Sequence, residues 1–275
     1  MKKVLVTTDF SIPSKAGVRF AIQMAAQSEC ALVFYHVRNP ETTDVWVDLL
    51  YQTNPSEEEA LRERMVRFIE PLLTSVESKG TQVEWMVEEG GDTVKSILGH
   101  ARKCGADFIC LGTRGLGRVR RLFGSTASSL MELSPIPLLV VPYSYRTKSI
   151  KSILYASDFA EIRKELTEVT QFAHELGVRV SVYHYEAFLD EAEVEQKLHT
   201  LASQLGPKAP AFHFRKLHPE HSLLDHLKSD IRRTKPSVIA LFTKQDRNWF
   251  ERLFLSSKTA ELGFDTRTPL LVFRK

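Results

Sequence analysis

The 275-residue sequence predicts an α/β protein made of two tandem open five-stranded parallel sheets, each with helices on both faces. Three observations carry that prediction. Short apolar runs without polar alternation, such as Phe108-Ile-Cys-Leu111 and Leu138-Leu-Val-Val141, describe strands buried on both sides, as parallel strands are. These runs alternate with helical stretches, and strand–helix alternation builds an open sheet through right-handed crossovers. The pattern is also written twice along the chain.

In the first half the predicted strands lie near 3–8, 31–37, 82–87, 107–111 and 137–141. The first contains Val4-Leu-Val6, the second Val33-Phe-Tyr-His-Val37, and the last follows Pro137. Helical patterns fall between them at 14–27, 57–79, 92–104 and 125–133. The second half repeats the landmarks. Val4-Leu-Val-Thr-Thr-Asp-Phe10 returns as Ile153-Leu-Tyr-Ala-Ser-Asp-Phe159, and Tyr35-His36 returns as Tyr183-His184. Phe108-Ile-Cys-Leu-Gly112 returns as Val238-Ile-Ala-Leu-Phe242, and Ile136-Pro-Leu-Leu-Val-Val141 returns near Thr268-Pro-Leu-Leu-Val-Phe273. A period of about half the chain is a duplicated domain, not a solenoid unit. The expected domains are 1–147 and 148–275, with Tyr143–Lys148 as linker. His36 and Asp107 stand 71 positions apart, their counterparts His184 and Ser237 only 53, so the first half carries an extra segment within 39–58. That segment reads as a longer helix with an apolar face, or as a lid.

Composition narrows the function. Hydrophobic content of 43% and charged content of 26% suit a soluble globular chain. A net charge of +3 makes no polycation, so nucleic acid would need a local patch. Cys30, Cys104 and Cys110 read as buried thiols of a reducing compartment, and the cytoplasm is the expected location. No stretch is apolar and long enough to span a membrane.

The chemistry concentrates in Leu111-Gly-Thr-Arg-Gly-Leu-Gly-Arg-Val-Arg-Arg-Leu-Phe-Gly-Ser-Thr126. This glycine-rich loop leaves a strand end and finishes at a helix start. Glycines allow close backbone approach, a helix N-terminus offers free N–H groups and positive potential, and Arg114, Arg118, Arg120 and Arg121 add charge. That is a place for phosphate. It is not a P-loop, because Arg118 and Val119 stand where that motif needs Lys and Ser/Thr. The arginine run reads otherwise as a solvated basic loop, and nucleic acid is the weaker reading because Phe123 is its only aromatic. His213, His218, His221 and His226 fit no tight metal spacing and read as a solvated helix start after Pro219. His36 and His184 occupy matching strand ends, which predicts a shared hydrogen bond there. No nucleophile–base set stands at meaningful spacing, so no enzyme is expected.

With these motifs in hand, the chain resembles the universal stress protein family in its tandem, two-domain form. The carriers are Val6-Thr-Thr-Asp-Phe-Ser11, Tyr35-His-Val37, the glycine loop and Pro135-Ile-Pro-Leu-Leu-Val-Val-Pro142. The resemblance implies a Rossmann-like sheet of the adenine-nucleotide alpha-hydrolase type, and domains paired about a pseudo-twofold through Leu138–Val141 and Leu270–Phe273, either within one chain or as a homodimer. It also implies ATP, with or without Mg²⁺, as ligand, and a protein partner whose binding nucleotide controls. Its nucleotide-binding branch carries Gly-x2-Gly-x9-Gly-Ser/Thr. Here Gly112-x2-Gly115 fits, while eight residues rather than nine precede Gly124-Ser125. By that match Asp9 meets the adenosine, with Thr7 and Thr8 lining the same strand end, and the Val37 backbone meets the adenine. Leu111, Gly112, Arg114 and Gly115 form the ribose and phosphate turn, and Gly124, Ser125, Thr126 and Ala127 hold the phosphates. In the second half Phe242, Gln245 and Leu255 replace the glycines, so that domain is expected not to bind nucleotide in this manner. The alternative is an interaction module in which neither domain binds nucleotide.

Overall fold

A computed structural model describes all residues except 40–56, 77–80, 114–124, 189, 206–208 and 244–266. The chain forms two compact units, Met1–Ser149 and Ile150–Lys275.

The first unit runs β1 (Lys2–Thr7), α1 (Ile12–Gln27), β2 (Cys30–Arg38), α2 (Glu57–Leu73), β3 (Val83–Glu89), α3 (Thr93–Lys103), β4 (Phe108–Thr113), α4 (Ser125–Leu133) and β5 (Leu138–Pro142). Its strands lie in the order β3-β2-β1-β4-β5, and every pairing is parallel. The chain first builds outward from β1 through β2 to β3, then returns to β1's other edge with β4. The order therefore reverses between β1 and β4, and such a reversal opens a crevice at the strand C-terminal ends. The second unit runs β6 (Ser152–Ser157), α5 (Ile162–Glu175), β7 (Arg179–Glu186), α6 (Glu191–Leu205), β8 (Ala211–Lys216), α7 (Leu223–Thr234), β9 (Val238–Thr243) and β10 (Leu270–Arg274). Its parallel order β8-β7-β6-β9-β10 reverses at the equivalent place, between β6 and β9.

The apolar runs form the centre of each sheet. Val4, Leu5 and Val6 of β1 are fully buried, and so are Leu32, Phe34 and Tyr35 of β2. Leu138 to Val141 and Leu270 to Phe273 are buried as well. The edge strand β3 alternates exposed and covered residues instead, as an edge with one solvated face must. The helix expected at 14–27 begins earlier, at Ile12, because Ser11 caps it: the Ser14 N–H donates to Ser11 Oγ and proline occupies the first turn. The segment Tyr143–Lys148, expected as a linker, belongs to the first unit. Tyr145 is buried with its ring edge-on to Phe20 at 5.5 Å, and its N–H donates to the Pro142 carbonyl. Cys30 and Cys110 are buried, whereas Cys104 is half-buried.

Two contacts fix how α1 meets the sheet. A Cβ on Gly17 would stand 2.7 Å from the Gly112 nitrogen, and a Cβ on Gly112 would stand 2.0 Å from the Pro13 carbonyl oxygen. The helix lies this close to β4 only because both side chains are absent. The other contact is the expected strand-end bond. His36 Nδ1 lies 2.8 Å from the Thr8 carbonyl oxygen, and His184 Nδ1 lies 3.0 Å from that of Ser157. A carbonyl only accepts, so Nδ1 carries a proton in both rings and clamps the end of β2 to the turn after β1. Burial lowers the His36 pKa; the Thr8 bond opposes this, and nearby Arg64 adds to it.

Two outcomes follow from this packing. Gly112→Ala and Gly17→Ala should each lose about 1–3 kcal/mol or more in urea unfolding, as overpacking does. Gly99→Ala, in α3 with open space where its Cβ would sit, should instead be neutral or gain up to ~1 kcal/mol. For His36 the folded pKa lies below the unfolded one, so the unfolded chain takes up the proton first. Stability is then full above the ordinary histidine pKa and is lost as pH falls through it toward the folded value. Unfolding between pH 7.5 and 5 should show a slope from this residue of at most about 1.4 kcal/mol per pH unit, which His36→Gln removes.

Candidate functional site

The turn between β1 and α1 presents Asp9 at the C-terminal end of the first sheet. Phe10 adopts φ of +60°, a left-handed conformation that a bulky residue takes only when its surroundings impose it. Here they do. The Phe10 N–H donates to the buried Thr8 Oγ1 at 3.1 Å, and that hydroxyl pairs with Ser14 Oγ at 3.0 Å. The Phe10 ring packs against His36 with centroids 4.4 Å apart, meets Phe68 edge-on at 5.7 Å, and lies beneath the Arg64 guanidinium at 4.6 Å. Asp9 itself is exposed, with Oδ1 accepting from the Ser11 N–H at 3.0 Å and from Ser11 Oγ at 2.5 Å. Burial opposes its ionisation, but hydrogen bonds, chiefly from Ser11 and also from Ser14, together outweigh burial and hold the carboxyl below its ordinary pKa. An ionised acceptor therefore stands at the sheet end near neutral pH.

Val37 lies two residues beyond Tyr35, the last β2 residue in register with β1. Tyr35 accepts from the Thr8 N–H on the β1 side, whereas Arg38 accepts from the Gly90 N–H on the β3 side. Successive residues of a strand point their backbone groups to opposite edges, so Val37 faces the same edge as Tyr35. The β1–β2 register ends at Thr7 and Tyr35, and β1 then turns away into Phe10. The Val37 amide and carbonyl thus look onto the gap that β1 leaves.

The remaining predicted residues divide. Thr7 Oγ1 reaches the Cys110 carbonyl at 3.5 Å, and Thr8 is buried. Both threonines therefore shape the strand end, and Thr8 reaches the site through the turn that it builds. Leu111 is buried, and the missing Cβ of Gly112 is used by Pro13 rather than left open. Ser125, Thr126 and Ala127 open α4, with Ser125 exposed and Ala127 buried, and no acidic residue stands in that first turn. Arg114, Gly115 and Gly124 lie outside the described residues, as do Gln245 and Leu255. Ser11, Ser14, Arg64 and Phe68 were not singled out from sequence. Ser11-Ile-Pro13 carried a helix-start signal that would have found the first of them.

The second unit repeats the turn. Phe159 has φ of +63°, its N–H donates to Ser157 Oγ at 3.0 Å, and its ring lies 4.7 Å from His184. Asp158 is presented as Asp9 is, with Oδ1 accepting from the Ala160 N–H at 3.0 Å. Here, however, Lys275 Nζ meets both Asp158 oxygens, at 2.9 and 3.1 Å, and pairs with Glu165, which also accepts from the Tyr155 hydroxyl. Burial would lower the Lys275 pKa, yet its bonds to Asp158 and Glu165 raise it above the usual lysine value.

The histidines of 213–226 are engaged with one another and with a tyrosine. The His218 N–H donates to His226 Nε2 at 3.0 Å, and His213 stacks on Tyr183 at 4.5 Å. Ser222 and Asp225 form a capping box that starts α7. Among the described residues no group of three or more His, Cys, Asp or Glu side chains converges as metal ligands. No described helix is long and apolar enough to cross a membrane.

Comparison with known proteins identifies the scaffold. The family model of the universal stress proteins matches residues 1–142. A universal stress protein of Thermus aquaticus is 30% identical over 141 residues, 51% of this chain and 98% of that protein. The universal stress protein YxiE of Bacillus subtilis is 26% identical over 145 residues, 50% of this chain and 97% of its own. The crystal structure of a universal stress protein from Archaeoglobus fulgidus shares the fold over 99% of this chain and 98% of that one, with a TM-score of 0.71 at 15% identity. The family model spans Met1 to Pro142, just over half of the chain, and the chain therefore belongs to the universal stress protein family.

Proposed function

We propose that the first unit binds an adenine nucleotide, ATP in the simplest case, and that its occupancy controls contact with a protein partner. The observation that carries this reading is the pairing of Asp9 with Val37. An ionised carboxylate follows β1, and the end of β2 presents an edge that, among the described residues, β1 does not pair. The carboxylate accepts from ribose hydroxyls, and the Val37 amide and carbonyl match the acceptor and amino group on the edge of adenine. The family resemblance supports adenosine at these positions, and the start of α4 would supply backbone N–H groups for phosphate. The residues present fit the adenosine part. Bound Mg²⁺ would neutralise phosphate charge, and the Ser125 and Thr126 hydroxyls at the α4 start would hold it.

The same reading makes the second unit a degenerate domain that does not take nucleotide. Phe242 stands where the first unit has Gly112, and its ring stacks on Phe273 at 4.8 Å. The function is one of binding and regulation, with no catalytic step assigned to any residue.

Isothermal titration of the full chain with millimolar ATP should report one site. Asp9→Ala should weaken it about 10- to 100-fold, the effect of losing a charged hydrogen-bond partner. Gly115→Val should weaken it too, by obstructing the phosphate loop. A wild-type chain that gives no heat at millimolar ATP sinks this reading and favours the interaction module that binds no nucleotide.

A further inference from the structure

We propose that the second unit's cleft is a binding site for a primary ammonium group, supplied in cis by Lys275, so that the chain carries its own ligand where the first unit takes nucleotide. The comparison with the first cleft rests on the nucleotide reading above; the ammonium site itself does not.

The argument starts from the repeat. The Lys275 N–H donates to the Thr243 carbonyl at 3.0 Å, just as the Tyr143 N–H donates to that of Thr113 at 3.0 Å, so Lys275 and Tyr143 are equivalent positions. Three sites differ together between the units. Tyr155 replaces Val6, Glu165 replaces Ala16, and Lys275 replaces Tyr143. In the first unit these positions hold two buried apolar residues and a half-exposed tyrosine ring. In the second they form one connected polar group. Lys275 and Glu165 side chains are 7% and 2% exposed, and Asp158 is 17% exposed.

The chemistry of the group selects its ligand. An ammonium has three N–H donors; Lys275 Nζ donates to both Asp158 oxygens and forms a close ion pair with Glu165 Oε1. The other Glu165 oxygen accepts from the Tyr155 hydroxyl, which lies 3.0 Å from Ser157 Oγ. Two carboxylates are tolerated at this burial because a cation lies between them; one without the other would leave uncompensated charge. A compact ammonium suits this pocket, whereas a planar guanidinium spreads its donors too widely. Asp158 is thereby withdrawn from any nucleotide. The side-chain donor that serves Asp9, Ser11, has become Ala160, and the lysine has taken its place.

The test uses the full chain without nucleotide. Lys275→Ala should lower Tm by roughly 10 °C, as breaking a buried pair does. n-Propylammonium, which replaces the deleted stem and head group, should then restore several degrees in a saturable manner. Tetramethylammonium, which has no N–H, and sodium at matched ionic strength should not. An unchanged Tm in Lys275→Ala, or recovery no better with n-propylammonium than with sodium, overturns the proposal. Should Lys275→Ala fail to fold, wild-type protein labelled with ¹⁵N at lysine Nζ decides: one slowly exchanging ammonium signal is expected, lost in Asp158→Asn, and its absence from wild type overturns the proposal. Because both readouts proceed without nucleotide, a first cleft that fails to bind ATP leaves them standing. An Asp9→Ala chain that still binds one equivalent of ATP at wild-type affinity in the second cleft contradicts the withdrawal of Asp158.

Discussion

The turn that follows the first strand of each unit organises everything around it. A phenylalanine is held in a left-handed conformation by a hydroxyl that accepts its N–H and by a histidine packed on its ring. The same histidine donates to the carbonyl of the hydroxyl-bearing residue. Strain of this kind costs about 1–3 kcal/mol and persists only where neighbours over-determine it. Its product is an aspartate at the sheet's C-terminal end, beside a strand edge from which the pairing strand has turned away. The turn recurs at Phe159 although the rest of the second site has changed, so presentation of the acid is separable from what the acid binds.

The two units then diverge by packing. In the first, Gly17 and Gly112 let α1 descend onto β4, and the Pro13 carbonyl occupies the volume that a side chain would need. In the second, Leu166 and Phe242 stand at those positions, both buried, and the space in front of the aspartate is filled by a lysine from the end of β10. Gly112 is thus required by helix packing before any ligand arrives. A glycine in a nucleotide-like motif is ambiguous on that account, because the same missing Cβ serves a phosphate or a neighbouring backbone. The acid in the first unit keeps a local partner, Ser11, on one oxygen, whereas the acid in the second has both oxygens on an ammonium. One scaffold thereby carries an open acid and a satisfied one.

Much of this was legible in the sequence, for physical reasons. Parallel strands buried on both faces must be continuous apolar runs, so Val4–Val6, Phe108–Leu111 and Leu138–Val141 announced the sheet and its centre. The duplication announced two such units, and the paired His36 and His184 announced their common bond at the strand ends. Asp9 was legible as a candidate because it follows the first strand, at the end where such sheets open a crevice, whereas Val37 came from the family resemblance. What stayed hidden depended on contacts between residues far apart in the chain. Nothing local marks Arg64 as lying over Phe10, or Tyr145 as packing on Phe20 instead of belonging to a linker. The run from Leu241 to Thr259 showed that glycines had been lost, but not that Lys275, more than a hundred positions from Asp158, pairs with it. The sequence by itself determined the α/β order, the duplication and the acid at each strand end, because periodicity and turn chemistry are local. Tertiary structure alone decided which acid is open and which is neutralised, because a buried charge takes its partner from whatever the fold brings within hydrogen-bonding distance.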